Sequence, residues 1–307
     1  MRARRTIRAG AMTLAVMLAA VVAAAAGGPP GGTPRAEAAP LFQVGRAHGA
    51  EHLPALDGSR PIFVLVLGSD ARPGETIARA RADSIHLIGI NPRRRAASVL
   101  GFPRDSWVPI PGFGSGKINS AMVYGGPELM VRTVEALTGI KIDYYLLTSF
   151  GGLRAMVDAV GGITVDVPYA MSDHFSGANF RPGRQRLSGK EALALSRNRK
   201  DTPNGDFSRS HNQGLLILAA LGQFRREFRE DPARVLVWIG GGLRNLWTDV
   251  PISELLDLAF TVSKIPVGKV HNRVVPGGTG FVGSSSVVFL SGSAGAIYSN
   301  LRGDGLL

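Results

Sequence analysis

Six consecutive apolar residues at positions 62–67, Ile-Phe-Val-Leu-Val-Leu, constrain the fold of this chain more than any other stretch. A strand that faces water on one side alternates apolar and polar residues, whereas a strand covered on both faces is apolar throughout. The run therefore predicts a central strand that packs against other elements on both faces.

Strand and helix patterns alternate after this run, which indicates the α/β class. The expected strands cover residues 84–90, 96–102, 143–148, 163–167, 270–276 and 286–290. The expected helices cover residues 127–138, 150–160, 188–197, 206–230, 231–247, 253–262 and the end of the chain from 294.

The start of the chain is typical of a membrane anchor. Four arginines within the first eight residues precede residues 9–28, which carry no charge. About twenty apolar residues span a bilayer core, and the arginines favour a cytoplasmic N-terminus. We expect a transmembrane or signal-anchor segment at 1–28, an extracytoplasmic linker rich in Gly, Pro and Ala at 29–60, and a folded domain at 61–307. Whether the anchor is cleaved stays open.

The composition of the chain limits the kinds of site that it can form and the kinds of ligand that it can bind. The chain has no cysteine, which excludes disulfides, thiolate metal sites and a cysteine nucleophile. A formal net charge of +12 is compatible with nucleic acid, a membrane surface or a phosphorylated substrate. The predicted anchor argues against nucleic acid, because a DNA-binding regulator would need cytoplasmic exposure.

Two carboxylates flank the predicted first and second strands. Asp70 follows the first strand and Asp83 precedes the second, so antiparallel pairing would place them at one edge of the sheet. Two acids without nearby His or Cys suit Mg²⁺. Arg104 and Lys117 stand in the adjacent loops, and Lys117 is expected to open a helix whose free amide groups favour an anion. The alternative is that each aspartate caps a loop.

A second cluster of polar residues lies between positions 197 and 213. If the chain is extended at Arg197 and Arg199, both guanidinium groups point the same way. Helical spacing then places Asp206, Arg209 and Gln213 on one stripe. Planar arginine donors match phosphate oxygens, so the segment predicts an anion clamp. A solvated surface patch is the alternative.

Ten short motifs occur in order between residues 60 and 225, and together they resemble the LytR-CpsA-Psr family. They are Leu67-Gly68-Ser69-Asp70, Ala82-Asp83-Ser84, Asn91-Pro92, Phe102-Pro103-Arg104-Asp105, Lys117-Ile118-Asn119, Gly125-Gly126, Gly161-Gly162, Leu187-Ser188-Gly189-Lys190-Glu191-Ala192-Leu193, Arg197-x-Arg199 and Asp206-x-x-Arg209-x-x-x-Gln213. The resemblance implies a three-layer α/β/α domain around a mixed central sheet. It also implies a membrane-anchored, extracytoplasmic phosphotransferase that moves a glycan phosphate from a polyprenyl pyrophosphate carrier onto peptidoglycan, with Mg²⁺ at the pyrophosphate.

The resemblance also implies roles for individual residues. Asp70 and Asp83 match metal-linked positions. Apart from the resemblance, Asp105 and Asp206 are candidates for the general base because both are expected within reach of the site, and a Mg²⁺-bound water or the acceptor alone is the alternative. The residues that match pyrophosphate-contacting positions are Arg104, Arg197, Arg199, Arg209 and Gln213, with a looser match at Lys117. The chain departs from the family at Asn212, where the family usually has arginine, and at Gly101-Phe102, where it usually has Ser-Ile.

Two other functions remain open at this level: a lipid pyrophosphate hydrolase that uses the same site, and a non-enzymatic transcriptional regulator. The transferase hypothesis requires a long cavity for the lipid. The apolar helix positions after Leu215 have the composition of either a tunnel wall or a core, and we expect ordinary core packing there. His86, within a predicted strand, is expected to be a packed histidine.

Overall fold

A computed structural model describes residues 60–72 and 74–307. The predicted anchor at 1–28 and residues 29–59 of the predicted linker lie outside the described residues. Within the described part of the chain, none of the helices combines the length and apolar character that crossing a bilayer requires.

The described strands fall into one large sheet and four two-stranded sheets. The strands are β1 Ile62–Ser69, β2 Ala82–Asn91, β3 Ala96–Gly101, β4 Trp107–Ile110, β5 Gly114–Lys117, β6 Tyr144–Ser149, β7 Ile163–Val167, β8 Met171–Asp173, β9 Ala178–Phe180, β10 Gly183–Leu187, β11 Trp247–Thr248, β12 Val270–Val274, β13 Gly277–Val282 and β14 Ser285–Leu290. The helices are α1 Ser120–Thr138, α2 Phe150–Ala159, α3 Gly189–Arg197, α4 Asp206–Glu230, α5 Arg234–Leu243, α6 Ile252–Ser263 and α7 Ala294–Asp304.

The large sheet has the order β11-β6-β1-β2-β3-β12. β1 pairs antiparallel with β2 and parallel with β6, and β3 pairs antiparallel with β2 and parallel with β12. The sheet is therefore mixed, as expected, and the apolar run at 62–67 is its central strand.

Side chains of β1 alternate between two cores, as the period of a strand requires. Phe63, Leu65 and Leu67 pack in a cluster with residues of α1 and α7. Ile62 and Val64 pack in a cluster that includes residues of α4 and α6. Helices thus cover both faces of the sheet, which explains why the strand has no polar face.

A third core lies beside the large sheet and joins β7 to β10 with α2, α3 and part of α4. The strand predicted at 163–167 is present as β7, but it pairs with β10 and not with the large sheet. α3 begins at a capping box in which the Ser188 side chain and the Glu191 side chain each bond the other's backbone N–H.

Three sequence predictions were wrong in detail. Lys117 does not open a helix: it is the last residue of β5, pairs with Trp107 and precedes α1, which begins at Ser120. The helix expected at 231–247 ends at Leu243. The chain is not extended at Arg197, because α3 continues to that residue and Asn198 N donates to Ala194 O at 3.2 Å.

Candidate active site

The antiparallel pairing of β1 with β2 brings the two predicted metal-linked carboxylates to one edge. Gly68 pairs with Ser84 and Ser69 with Ala82, so Asp83 is the extra residue of a β-bulge at the end of the pair where Asp70 follows β1. Asp70 N donates to Arg81 O at 2.9 Å. Burial raises the pKa of Asp70, and the charge of Asp83 raises it further. The two carboxylates are therefore close enough to repel each other.

The loop after β3 supplies a cation to this edge. Arg104 Nη1 forms an ion pair with Asp83 Oδ1, and both side chains are largely buried. Burial alone would lower the pKa of Arg104, but the charges of Asp83, Asp105 and Asp206 outweigh it and raise the pKa. Lys117 Nζ lies 3.3 Å from Asp105 Oδ1, so the end of β5 delivers a second cation to the same loop.

The first turn of α4 supplies a further arginine. Arg209 Nη2 forms an ion pair with Asp206 Oδ1 one turn away, and their side chains are 4% and 10% exposed. Burial lowers the pKa of Arg209; nearby Arg104 and Arg199 lower it further, while Asp206 and Asp83 oppose the shift. These mutual effects place Asp83, Arg104, Arg199, Asp206 and Arg209 in one electrostatic cluster.

Gln213 lies on the same helix but uses its amide hydrogens within the protein. Its Nε2 donates to Asp83 O at 3.1 Å and to Ser196 O at 3.0 Å. These bonds join β2, α3 and α4 at the site. Gln213 therefore positions the segments that carry Asp83 and Arg197, and only its Oε1 is left to meet a ligand.

Arg197 and Arg199 flank the buried Asn198 and are both exposed. The Arg197 Cζ atom lies 4.9 Å from the centre of the Phe150 ring. Neither arginine makes an ion pair with another of the described residues. Their positive charges, unlike those of Arg104 and Arg209, are not balanced by a carboxylate within residues 60–72 and 74–307.

An apolar cavity of about 430 Å³ opens at this cluster. Asp83, Ser84, Ser196, Arg197 and Gln213 contribute its polar wall. Thr148 and Ser149 are also polar lining residues. The apolar part of the wall comes from β1, β2, β6, α2, α4 and the region of α5; it includes Val66, Ile88, Leu146, Phe150, Met156, Leu216, Ile217, Ala220, Trp238 and Leu246. Ordinary core packing was expected after Leu215, and Leu216 and Ile217 do pack in the cores, but these two residues and Ala220 also line this cavity.

The residues at the edge fit a magnesium ion by their chemistry. Within residues 60–72 and 74–307, no group of three or more His, Asp or Glu side chains is arranged to hold a metal. Mg²⁺, however, is held by one or two carboxylates when water and phosphate oxygens complete its shell. Asp70 and Asp83 form such a pair, and their repulsion is what a bound divalent cation relieves.

The two candidates for the general base are each paired with a cation. Asp105 contacts Lys117 and lies 4.0 Å from Arg104 Nε. Asp206 contacts Arg209 through Oδ1, and its buried Oδ2 has no hydrogen-bond partner among the described residues. The side chain of Asp105 is 21% exposed, so it is the more accessible of the two.

His86 is a packed histidine, as expected, and its ring connects two segments of the site. Its Nε2 bonds Ser210 O at 3.0 Å and its Nδ1 bonds Ser84 Oγ at 3.1 Å. Burial lowers its pKa to about 4, so the ring is neutral and donates from Nε2 to the carbonyl. His86 thus links the residue after Asp83 to the residue after Arg209.

The departure at Asn212 also has a structural counterpart. Asn212 is fully buried, and its Nδ2 donates to the hydroxyl of Tyr169 at 3.2 Å. The Asn212 side chain therefore bonds a residue that packs against the third core, and it adds no charge to the electrostatic cluster.

Comparisons with known proteins agree with this architecture. The model of the LytR_cpsA_psr family matches residues 43–300. The polyisoprenyl-teichoic acid–peptidoglycan teichoic acid transferase TagU of Bacillus licheniformis is 37% identical over 163 residues, which are 53% of this chain and 52% of that protein. TagU of Bacillus subtilis is 37% identical over 158 residues, 51% of this chain and 50% of that protein. The chain thus spans about half the length of the curated relatives it matches.

Solved structures show the same fold. The crystal structure of Bacillus subtilis TagV has a TM-score of 0.69 and 27% identity over 79% of this chain and 96% of that one. The structure of TagT bound to LI-WTA has a TM-score of 0.68 over 85% of this chain and 99% of that one, and at 23% identity it shows likeness of fold alone.

Proposed function

Because the chain belongs to the LytR-CpsA-Psr family, we propose that it is a phosphotransferase that moves a glycan phosphate from a polyprenyl pyrophosphate carrier onto peptidoglycan. The observation that carries this proposal is the meeting of a charged edge and an apolar cavity at the same residues. Asp83, Arg197 and Gln213 line the cavity, and Asp83 also belongs to the charged cluster.

The two halves of this site suit the two halves of a lipid pyrophosphate. An apolar cavity of about 430 Å³ lies within the size range of ligand pockets and favours a hydrocarbon chain. Arg197, which lines the cavity, and Arg199, two residues further on, make no ion pair with a described carboxylate and favour the doubly charged head. The names of the TagU relatives, which refer to a polyisoprenyl-linked donor and a peptidoglycan acceptor, support the same substrate classes.

In the proposed reaction, a hydroxyl oxygen of peptidoglycan attacks the phosphorus that bears the sugar. The bond from that phosphorus to the bridging oxygen breaks, and polyprenyl phosphate leaves with the bridging oxygen. Arg197 and Arg199 hold the pyrophosphate oxygens in the orientation for attack, and Arg104 and Arg209 add positive potential behind them. Asp105, the more accessible carboxylate, takes the hydroxyl proton.

Mg²⁺ bound by Asp70 and Asp83 would neutralise charge on the phosphate oxygens. Gln213, which lines the cavity, contacts the substrate in this account, whereas His86 does not. Both residues fix β2 against α4, so that Asp83 and Arg209 keep their separation. The catalytic domain is proposed to act outside the cell, attached to the cell membrane by residues 1–28.

Product analysis tests this function. The full chain is incubated with a polyprenyl-pyrophosphate-linked glycan, with and without peptidoglycan, and the lipid and glycan products are separated and weighed by mass spectrometry. We expect glycan joined to peptidoglycan through a phosphodiester, together with an equal amount of polyprenyl phosphate, only when the acceptor is present. Release of free glycan phosphate at the same rate with or without acceptor would instead identify a hydrolase.

A further inference from the structure

An exposed pair of stacked aromatic rings stands on the opposite side of the charged edge from the cavity. Phe113 and Tyr124, together called the aromatic ledge, are 55% and 48% exposed. Their ring centres are 5.0 Å apart and their planes are inclined by 14°. Exposed aromatic surface of this kind commonly marks a place where another molecule binds.

Glycine-dependent backbone conformations hold each ring of the ledge in place. Phe113 stands at the turn between β4 and β5, between Gly112 at φ 83° and Gly114 at φ 73°. Tyr124 directly precedes the kink of α1, where Gly126 has φ 68°. These left-handed conformations are strained for residues with a side chain. The ledge therefore has a defined geometry although it lies outside the core.

A further contact fixes the position of Tyr124. Arg79 Nη1 donates to its backbone carbonyl at 3.0 Å. This bond ties the kink of α1 to the segment between β1 and β2, which ends at Arg81, two residues before Asp83. The segment between β1 and β2 therefore contacts Tyr124 and also leads into the strand that carries Asp83.

The ledge is connected to the reaction site by a single short strand. β5 runs from Gly114 to Lys117, whose Nζ lies 3.3 Å from Asp105. At about 3.3 Å per residue, the ledge lies within roughly 13 Å of Lys117 along this strand. A ligand that rests on the rings therefore reaches the proposed proton acceptor if it extends a short distance along β5.

The position of the ledge separates it from the proposed lipid site. The cavity lies against Val66, Ile88 and Leu146, on the face of the sheet covered by α4. The ledge is built from α1 and the β4–β5 hairpin, and α1 packs on the other face. A donor lipid and a molecule on the ledge would approach the charged edge from opposite faces.

We propose that the aromatic ledge binds the glycan strand of the acceptor, with the apolar C–H face of a sugar ring stacked on Phe113 and Tyr124. Aromatic rings offer a flat apolar surface, and the neighbouring Ser115 and backbone groups are exposed and polar, which suits a saccharide better than a lipid chain. Two rings are too small for a stable protein interface, which buries on the order of 1,000 Å² or more. This inference rests on the proposed transferase function.

The test compares ring removal with ring conservation. In the double variant Phe113→Leu/Tyr124→Leu the apolar volume remains but the flat rings are lost, whereas Phe113→Tyr/Tyr124→Phe keeps both rings. Phe260→Leu removes an exposed aromatic ring from α6, on the other face of the sheet, and serves as the control.

The first readout is transfer by the full chain as a function of the concentration of a soluble peptidoglycan glycan oligosaccharide. We expect the leucine double variant to raise the acceptor KM about tenfold, with kcat and the donor KM unchanged, as loss of one or two aromatic contacts predicts. The ring-conserving variant and Phe260→Leu should keep the parent value. An acceptor KM for the leucine variant equal to that of the parent overturns the proposal.

The second readout separates this inference from the function on which it rests. Binding of the same oligosaccharide, without any donor, is measured by NMR for the parent and the variants. Weaker binding by the leucine variant alone supports the ledge even if the parent transfers nothing, an outcome that would refute only the transferase function. Absence of binding by the parent, or equal binding by all variants, overturns the ledge.

Discussion

The four arginines of the site form two pairs that differ in burial and in charge balance. Arg104 and Arg209, the buried pair, each form an ion pair with an aspartate. Arg197 and Arg199, the exposed pair, have no such partner among the described residues. A ligand anion therefore gains most from the exposed pair, whereas the buried pair is also part of the folded framework. The two pairs should respond differently to the same substitution.

Substitution of the buried pair should have the largest effect, because it removes function and stability together. Arg209→Ala leaves the carboxylate of Asp206 buried without its partner, which typically costs about 3–5 kcal/mol of unfolding free energy. Urea unfolding and the transfer assay measure the two losses. The double variant Asp206→Leu/Arg209→Met, which buries no unpaired charge, should regain stability but not transfer. An Arg209→Ala protein as stable as the parent would contradict the framework role.

His86, which bonds the residue after Arg209, should make the free energy of unfolding depend on pH in the acid range. Burial lowers the pKa of His86 from 6.5 to about 4, so between these values the unfolded state binds a proton that the folded state does not. Stability should then be present in full above pH 6.5 and fall by roughly 3 kcal/mol as the pH drops to 4.

Unfolding of His86→Gln across this pH range checks the assignment. Its stability should depend less steeply on pH than that of the parent. Equal slopes for His86→Gln and the parent would remove His86 as the source.

Substitution of the exposed pair should affect catalysis without affecting stability. Arg197→Ala or Arg199→Ala should lower kcat/KM about a hundredfold, as loss of one charged donor at a reacting phosphate does. The unfolding free energy should change by less than about 0.5 kcal/mol, as for other surface positions. Arg93→Ala, in the exposed turn between β2 and β3, is the control. Loss of stability on the scale of Arg209→Ala would erase the distinction between the pairs.

Filling the cavity should have the smallest effect and should depend on lipid length. Ala220→Phe places a ring in the apolar cavity, so a donor with a long lipid should bind about tenfold more weakly while a short-chain donor is little affected. Ala219→Phe, on the neighbouring residue that lines an open groove with Thr164 and Arg226, is the matched control. Equal loss with long and short donors would place the lipid elsewhere.

Much of the framework follows from the sequence because local patterns determine it. The apolar run at 62–67 required cover on both faces, the helix at 206–230 has the predicted bounds, and the capping box at Ser188 begins α3. The nearness of Asp70 and Asp83 followed from one assumption about strand pairing, which the register of β1 with β2 confirms.

The features that local patterns did not predict depend on contacts distant in sequence. Arg197 is the last residue of α3 and not part of an extended segment. Lys117 is the last residue of β5, where it pairs with Trp107. Leu216 is apolar, and an apolar residue suits a packed core and a cavity wall equally, so its sequence context does not distinguish the two. The division of the arginines into two pairs depended on which of them found a carboxylate, which spacing alone does not specify.

Native mass spectrometry of the purified full chain tests the central claim most directly, that the charged edge and the cavity bind one lipid pyrophosphate between them. The account predicts one polyprenyl phosphate or pyrophosphate per chain, retained by the Arg93→Ala control and present on a smaller fraction of the chains of both Arg197→Ala and Ala220→Phe. A chain that binds no such lipid even when it is supplied, or that binds it equally in all of these variants, would contradict the account.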